Sequence, residues 1–196
     1  MFSVRIHGRG GQGVVTAAEM LSVAAFDEGR HAQAFPSFGS ERTGAPVVAF
    51  CRIDDRPIRF HDPVAAPDAV VVQDPTLLHL VPVFEGLVPD GYALVNTSRT
   101  WAELHLGDLG TADPLAAYDG KHLAVVPATE MSRDRLHRPM PNTPLLGALA
   151  ALTGVVSLAA VQAAIRQRFG GEVGEVNADL AAAAHAHVLA GRHARA

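Results

Sequence analysis

The sequence predicts an α/β protein: a single three-layer α/β/α domain over residues 1–196, with a Rossmann-like start, a mixed but mostly parallel sheet and a helical C-terminus. Three observations carry this reading. Apolar runs of strand length alternate with helical patterns, as in a sheet covered by helices. The first run, Val4-Arg5-Ile6-His7, passes into Gly8-Arg9-Gly10-Gly11-Gln12-Gly13 and then into the helix-favouring Val14–Leu21. At 196 residues the chain is sized for one well-packed domain, and no internal repeat or linker-like stretch divides it.

Each element has a local cause. Ala17, Met20, Leu21, Ala24 and Ala25 recur at helical spacing within Thr16–Glu28, and Gly29 suits the helix end. His31–Phe35 is a short second strand ended by Pro36. Residues 36–46 form a loop with two glycines, two prolines and the pair Glu41-Arg42, and long loops of this composition are disproportionately functional. Val47–Ile53 is a buried strand, and Ile58–Phe60 reads as a return strand that would make the sheet mixed. Ala69–Val72 is a further strand, and Pro75 opens a helix bearing Leu77, Leu78, Leu80 and Val81 that Pro82 cuts short. Gly91–Asn96 is followed by the polar turn Thr97-Ser98-Arg99, at a strand end where α/β proteins place ligand groups. Leu123–Val126 precedes a helix from Ala128 to about His137. Three helices close the chain, at Thr143–Leu152, Ser157–Phe169 and roughly Asn177–Leu189, the first with Asn142 as N-cap.

Composition narrows the function. The net charge of −4 and the scattered Lys and Arg give no electrostatic footprint for nucleic acid. No apolar segment approaches the roughly 20 residues that span a bilayer, and the first residues already read as strand, so a soluble cytoplasmic protein without a signal peptide is expected. The single cysteine, Cys51, excludes an internal disulfide framework and an iron–sulfur cluster ligated by this chain alone. Ten histidines are spread along the chain. Only His185 and His187 lie close together, and an i, i+2 spacing on a helix points them apart, so no metal site is expected.

Gly8-x-Gly10-x-x-Gly13 has the spacing and context of a dinucleotide fingerprint, with amides at a helix N-terminus to meet an anion. The acidic residue that would hold a ribose some 20 positions on is missing; Gln33 and Phe35 stand there. Phosphate or carboxylate binding by the turn and a purely structural tight turn both remain open.

The motif does not stand alone. Ile6–Gly13, Ala34-Phe35-Pro36-Ser37-Phe38-Gly39-Ser40-Glu41-Arg42-Thr43-Gly44-Ala45-Pro46, the stretch Val70 to Leu78 with Gln73-Asp74-Pro75-Thr76 at its centre, and Pro139-Met140-Pro141-Asn142-Thr143-Pro144-Leu145-Leu146-Gly147 occur in this order. Together they cover most of the chain, and it resembles the gamma subunit of the 2-oxoacid:acceptor oxidoreductases, the pyruvate:ferredoxin oxidoreductase family. The resemblance implies a multi-subunit enzyme that oxidatively decarboxylates a 2-oxoacid to an acyl-CoA and CO2. It implies thiamine diphosphate with Mg2+ between alpha and beta subunits, 4Fe-4S clusters with a ferredoxin-like delta subunit, and in some members an FAD subunit that reduces NAD. The gamma chain would hold none of these cofactors. It would be a scaffold beside the active site and part of the environment of the substrate coenzyme A, with no complete active site and no catalytic residue of its own.

Coenzyme A carries a diphosphate and a 3′-phosphate, which call for amide donors and arginines. On that footing the candidate binding residues are Gly8, Arg9, Gly10, Gly11, Gln12 and Gly13 of the turn, with Ser37 and Arg42 of the following loop. Glu41 either orients Arg42 or is solvated, and residues 36–46 serve as a docking loop, a ligand contact or both. Two alternatives stand beside this reading: a stand-alone nucleotide-binding oxidoreductase and a purely structural assembly subunit. Pyruvate, branched-chain 2-oxoacids, phenylglyoxylate, indolepyruvate and 2-oxoglutarate all remain open as substrates, and so does the choice of ferredoxin or NAD as acceptor.

Overall fold

The computed structural model describes residues 1–37, 44–59, 61–106, 115 and 120–193, with side chains up to residue 191. In chain order the elements are β1 (Phe2–Arg9), α1 (Val14–Asp27), β2 (His31–Pro36), β3 (Pro46–Asp54), β4 (Ala69–Val72), β5 (Tyr92–Asn96), β6 (Leu123–Val126), α2 (Ala128–Leu136), α3 (Asn142–Thr153), α4 (Leu158–Phe169) and α5 (Gly171–His193). The strands form one sheet in the order β2-β3-β1-β4-β5-β6. Neighbours β1, β4, β5 and β6 are parallel, whereas β3 is antiparallel to both β1 and β2. The first crossover, β1–α1–β2, therefore skips a position, and β3 fills the gap.

The mixed sheet was expected, but its cause is different. Residues 57–59 are irregular and not a return strand, and Phe60 lies outside the described residues. Pro57 has no N–H for a ladder, and the Arg52 guanidinium donates to the carbonyl of Asp62, holding this segment without strand pairing.

The two faces of the sheet are covered differently. Val4 and Ile6 of β1, Ala69 and Val71 of β4 and Leu94 of β5 pack with the α-helices in one large core. Val70, Val72, Ala93 and Val95 face the other way, onto Leu77, Val83, Phe84, Leu104 and Leu115. Among the described residues this second layer consists of short 3₁₀ turns and irregular chain. The helix expected from Pro75 is a 3₁₀ helix of five residues, Pro75–His79, with Asp74 accepting from the Thr76 N–H at its start. Pro82 follows too soon for an α-helix to develop.

The helical face depends on small residues. α1 buries Ala17, Ala18, Ala24 and Ala25, and α5 lays Ala178, Ala181 and Ala184 against α3, whose residues Asn142–Leu152 are all buried. At the closest approach of α3 and α5, a Cβ on Gly147 would overlap the Ala181 carbonyl oxygen. Buried Thr143 donates to Asn177 Oδ1 at 2.7 Å across the same contact. α5 begins six residues before the expected start. Gly174, within the added turns, lies close to the Arg166 backbone where α4 turns into α5.

Two expectations follow. Gly147→Ala forces backbone apart at a helix crossing and lowers unfolding free energy by about 1–3 kcal/mol or more. Gly191→Ala, in open space near the end of α5, changes it by less than about 1 kcal/mol. Urea unfolding of the two variants checks the contrast. His7 of β1 is buried with an unpartnered Nε2, and burial with the nearby Arg5 charge pushes its pKa down from 6.5 to about 4. Below pH 6.5 the unfolded chain gains a proton that the folded chain refuses. The corresponding stability is complete above that pH and declines towards pH 4, by on the order of 3 kcal/mol. His7→Leu should flatten the dependence of unfolding free energy on pH over that window.

Candidate functional site

The glycine turn closes on itself through side chains. β1 runs on through Gly8 and Arg9, paired with Val47 and Pro46, so the turn proper is Gly10–Gly13. The Arg9 N–H donates to Gln12 Oε1 at 2.8 Å, the Gln12 N–H to the Arg9 carbonyl at 3.0 Å, and the Gly10 N–H to the Ala45 carbonyl at 2.9 Å. Gly8 is required by closeness, because a Cβ there would stand 2.6 Å from Val14 Cγ2 and 3.2 Å from Gln73 Cβ. Gly13, at φ 70°, is the residue before α1, and its missing Cβ leaves room for Asn142 Nδ2, which would be 2.6 Å away. The N–H groups of Gly11, Gly13, Val14, Val15 and Thr16 meet no acceptor among the described residues. They are oriented as the unpaired donors of a helix start, at the positive end of its dipole.

A ring of polar side chains ties this turn to the end of β4. Gln12 Nε2 donates to Asp74 Oδ2 at 2.9 Å, and Arg9 Nε lies 3.2 Å from the same oxygen. Arg9 Nη2 donates to Thr76 Oγ1 at 2.7 Å and Nη1 to the Gly44 carbonyl at 2.9 Å. Thr76 in turn donates to Asp74 Oδ1 from its N–H and its hydroxyl. Burial pushes the Asp74 carboxyl up, but hydrogen bonds from Thr76 and Gln12 and the charge of Arg9 outweigh it and leave the pKa below the ordinary value. Arg9 is thus paired within the chain, and its charge is offset by Asp74.

Beside the ring, at the carboxyl ends of the parallel strands, lies a cleft of about 360 Å³. Gln12, Gln73, Asp74 and Thr76 form one side of it, and Asn96, Thr97, Ser98, Thr129 and Glu130 the other. This is the position where open α/β sheets bind ligands. Asn96 Nδ2 donates to the Gln73 carbonyl and to Thr129 Oγ1, both at 2.7 Å, and its Oδ1 accepts from the Thr129 N–H at 3.1 Å. That one side chain bridges β4, β5 and the start of α2. Gln73 is buried, and neither Oε1 nor Nε2 has a partner.

The expected residues are brought together in part. Gly8–Gly13 form one unit with Asp74 and Thr76, and Thr97 and Ser98 line the cleft as expected, without Arg99. Ser37 is exposed and extends the β2–β3 ladder, its N–H donating to the Val48 carbonyl at 2.8 Å; β3 separates it from β1. Glu41 and Arg42 lie outside the described residues. Asn142 is not an N-cap: it is the first residue of α3, with a buried, unpartnered Nδ2 set against Gly13. Gln73 entered the sequence reading only as part of a family motif, and Asn96 and Thr129 were not singled out, although each stands at or just beyond the polar end of an apolar strand. Cys51 is fully buried, and burial pushes its thiol up to about 12. Among the described residues there is no group of three or more His, Cys, Asp or Glu placed to hold a metal ion, and no helix is long and apolar enough to cross a membrane.

Comparison with known proteins agrees with this layout. The chain is 49% identical over 181 residues to the common subunit gamma of the pyruvate/ketoisovalerate oxidoreductases of Thermococcus kodakarensis, covering 92% of this chain and 94% of that one. It is 44% identical over 185 residues to the pyruvate synthase subunit PorC of Methanothermobacter marburgensis, covering 94% and 96%. The crystal structure of the pyruvate oxidoreductase subunit PORC of Thermotoga maritima superposes with a TM-score of 0.78 at 39% identity, over 94% of each chain. With the family model for pyruvate ferredoxin/flavodoxin oxidoreductase matching residues 3–187, the chain belongs to that family.

Proposed function

We propose that this chain is the gamma subunit of a multi-subunit 2-oxoacid:acceptor oxidoreductase that converts a 2-oxoacid to an acyl-CoA and CO2. Pyruvate or a branched-chain 2-oxoacid is the substrate class favoured by the relatives' names, which specify pyruvate and ketoisovalerate. The described residues do not suit a cluster or a metal-bound thiamine diphosphate: the one cysteine is buried, and no acidic or histidine cluster is present among them. Those groups belong to the partner subunits in this reading, and the gamma chain acts by what it presents to coenzyme A.

One observation carries that role. The glycine turn leaves the amides of Gly11, Gly13, Val14 and Val15 without acceptors among the described residues, beside Gln12, which lines the strand-end cleft; these amides are a donor set for a phosphate group. Arg9 and Gln12 then serve as positioning residues, holding the turn against Asp74. The stand-alone dinucleotide reading loses support from the topology. β3 lies between β1 and β2, so the end of β2 is not beside the turn where an acidic ribose partner would be needed.

The chain alone should show no turnover on any 2-oxoacid and should co-purify with subunits that bear thiamine diphosphate and iron–sulfur clusters; activity of the isolated chain would sink the reading. In the assembled complex, Arg9→Gln releases the turn from Asp74 and Thr76 and raises the apparent KM for coenzyme A about three- to tenfold. An unchanged KM in an intact complex supports the purely structural alternative.

A further inference from the structure

Strand β2 ends the sheet on one side, and its outer edge is open. The Ser37 N–H points inwards, to the Val48 carbonyl at 2.8 Å. By the alternation of an antiparallel ladder, Phe35, Gln33 and His31 also spend their backbone groups on β3, whereas Ala32, Ala34 and Pro36 turn theirs outwards. No described residue pairs with the outward N–H and C=O groups of Ala32 and Ala34. Monomeric proteins blunt such an edge with charges, bulges or proline. From Ala32 to Phe35 there is no charged residue, the one-to-one register with β3 leaves no bulge, and Pro36 stands only at the strand's end.

The side chains of β2 fit a second β2 related by a two-fold axis. With the axis at Gln33, Ala32 lies opposite Ala34 of the second copy, and Ala34 opposite its Ala32. That register forms four N–H···O=C bonds and keeps Pro36, which has no N–H, out of the ladder. Gln33 then faces Gln33 at the close spacing of a non-hydrogen-bonded pair. Its Oε1 is buried without a partner. A rotation of the carboxamide about its last torsion brings Oε1 to the axis, where Nε2 of the second Gln33 donates to it, and symmetry returns the same bond. On the same face exposed His31 stands across from Phe35, whose ring packs against Phe50 at 5.3 Å and beneath the Arg52 guanidinium at 5.1 Å.

The helical layer permits this approach. α1 lies over β2 and β3. With strands about 4.8 Å apart, two helices so placed about the axis are separated by about 10 Å, the distance at which helices pack. Phe26, at the end of α1 that leads into β2, is 70% exposed, more than any other large apolar side chain among the described residues. The two strands alone make a small interface, and the paired α1 helices extend it.

We infer that β2 is a self-association edge: two copies of this chain join through antiparallel β2 strands about a two-fold axis at Gln33, as one continuous sheet. In the assembled enzyme this contact joins two gamma chains, and with them two sets of partner subunits. It is independent of coenzyme A binding, and its test reads association alone.

Sedimentation equilibrium of the full chain should give twice the 20.6 kDa protomer mass at micromolar concentration, and native mass spectrometry of the assembled complex should find two copies of this chain. A chain that stays monomeric throughout the micromolar range, or a complex with one copy, overturns the inference. Gln33→Lys and Gln33→Glu each set like charges face to face and should raise the dimer dissociation constant about tenfold or more. An equimolar mixture of the two variants should recover the association, which a misfolded variant would not do. A variant that dimerises as tightly as the wild type, or a mixture that fails to recover, overturns the two-fold at Gln33. Gln33→Cys places two Cα atoms about 4.5 Å apart across the axis and should form a disulfide with its copy on mild oxidation, while buried Cys51 stays reduced. A cross-link to a different subunit of the complex instead overturns self-association and assigns the edge to a partner strand.

Discussion

Strand β1 is hydrogen-bonded along both edges, antiparallel to β3 and parallel to β4, and the rest of the domain is arranged around that constraint. A strand held on both sides has one way out, over the end of the sheet. At Gly8 the absent side chain lets α1 and Gln73 close in, and the chain turns there and returns as α1 across the helical face. Because β3 already occupies the edge next to β1, the crossover must reach past it to β2. The same end of the sheet receives the carboxyl termini of β4, β5 and β6, which gathers the polar ends of four strands around one turn.

What distinguishes this end is the balance between polar groups the fold satisfies and those it leaves open. Arg9, Gln12, Asp74, Thr76, Asn96 and Thr129 bond among themselves and to the backbone. Their order holds the walls in place and neutralises the one cation in the turn. Among the described residues, the amides of Gly11 and Gly13, the carboxamide of Gln73 and Asn142 Nδ2 are left without a partner. Free donors at a helix start favour an anion.

The proposed role is that of a subunit that performs no bond-breaking step by itself. The described residues bring no nucleophile to a general base, and the one thiol is held in its protonated form by burial. A chain of this kind contributes binding energy and orientation. In the proposed coenzyme A role, interactions with a part of the substrate remote from the reacting thiol can be used to place that thiol. The relatives named as gamma and PorC subunits fit a chain whose chemistry is completed by its neighbours.

Much of this was legible in the sequence. Apolar runs marked β4 and β6 at their observed limits, and alternation of strands and helices marked the α/β class, because these signals arise from local periodicity. The glycine turn and the Thr97-Ser98 pair were legible for a related reason: glycines and polar residues at strand ends announce a turn wherever the strand lies. The all-helical face, the 3₁₀ layer opposite it, the early start of α5 and the inward-facing Asn142 were not. Each depends on which elements meet, as Gly147 meets Ala181 and Gly13 meets Asn142. Sequence by itself determined most of the elements, the turn and the family resemblance. Only the tertiary structure decided that Arg9 is paired with Asp74 while Gln73 is left unpaired, because hydrogen-bond satisfaction is set by neighbours more than 60 residues apart, as in the 62-residue separation of Gln12 and Asp74.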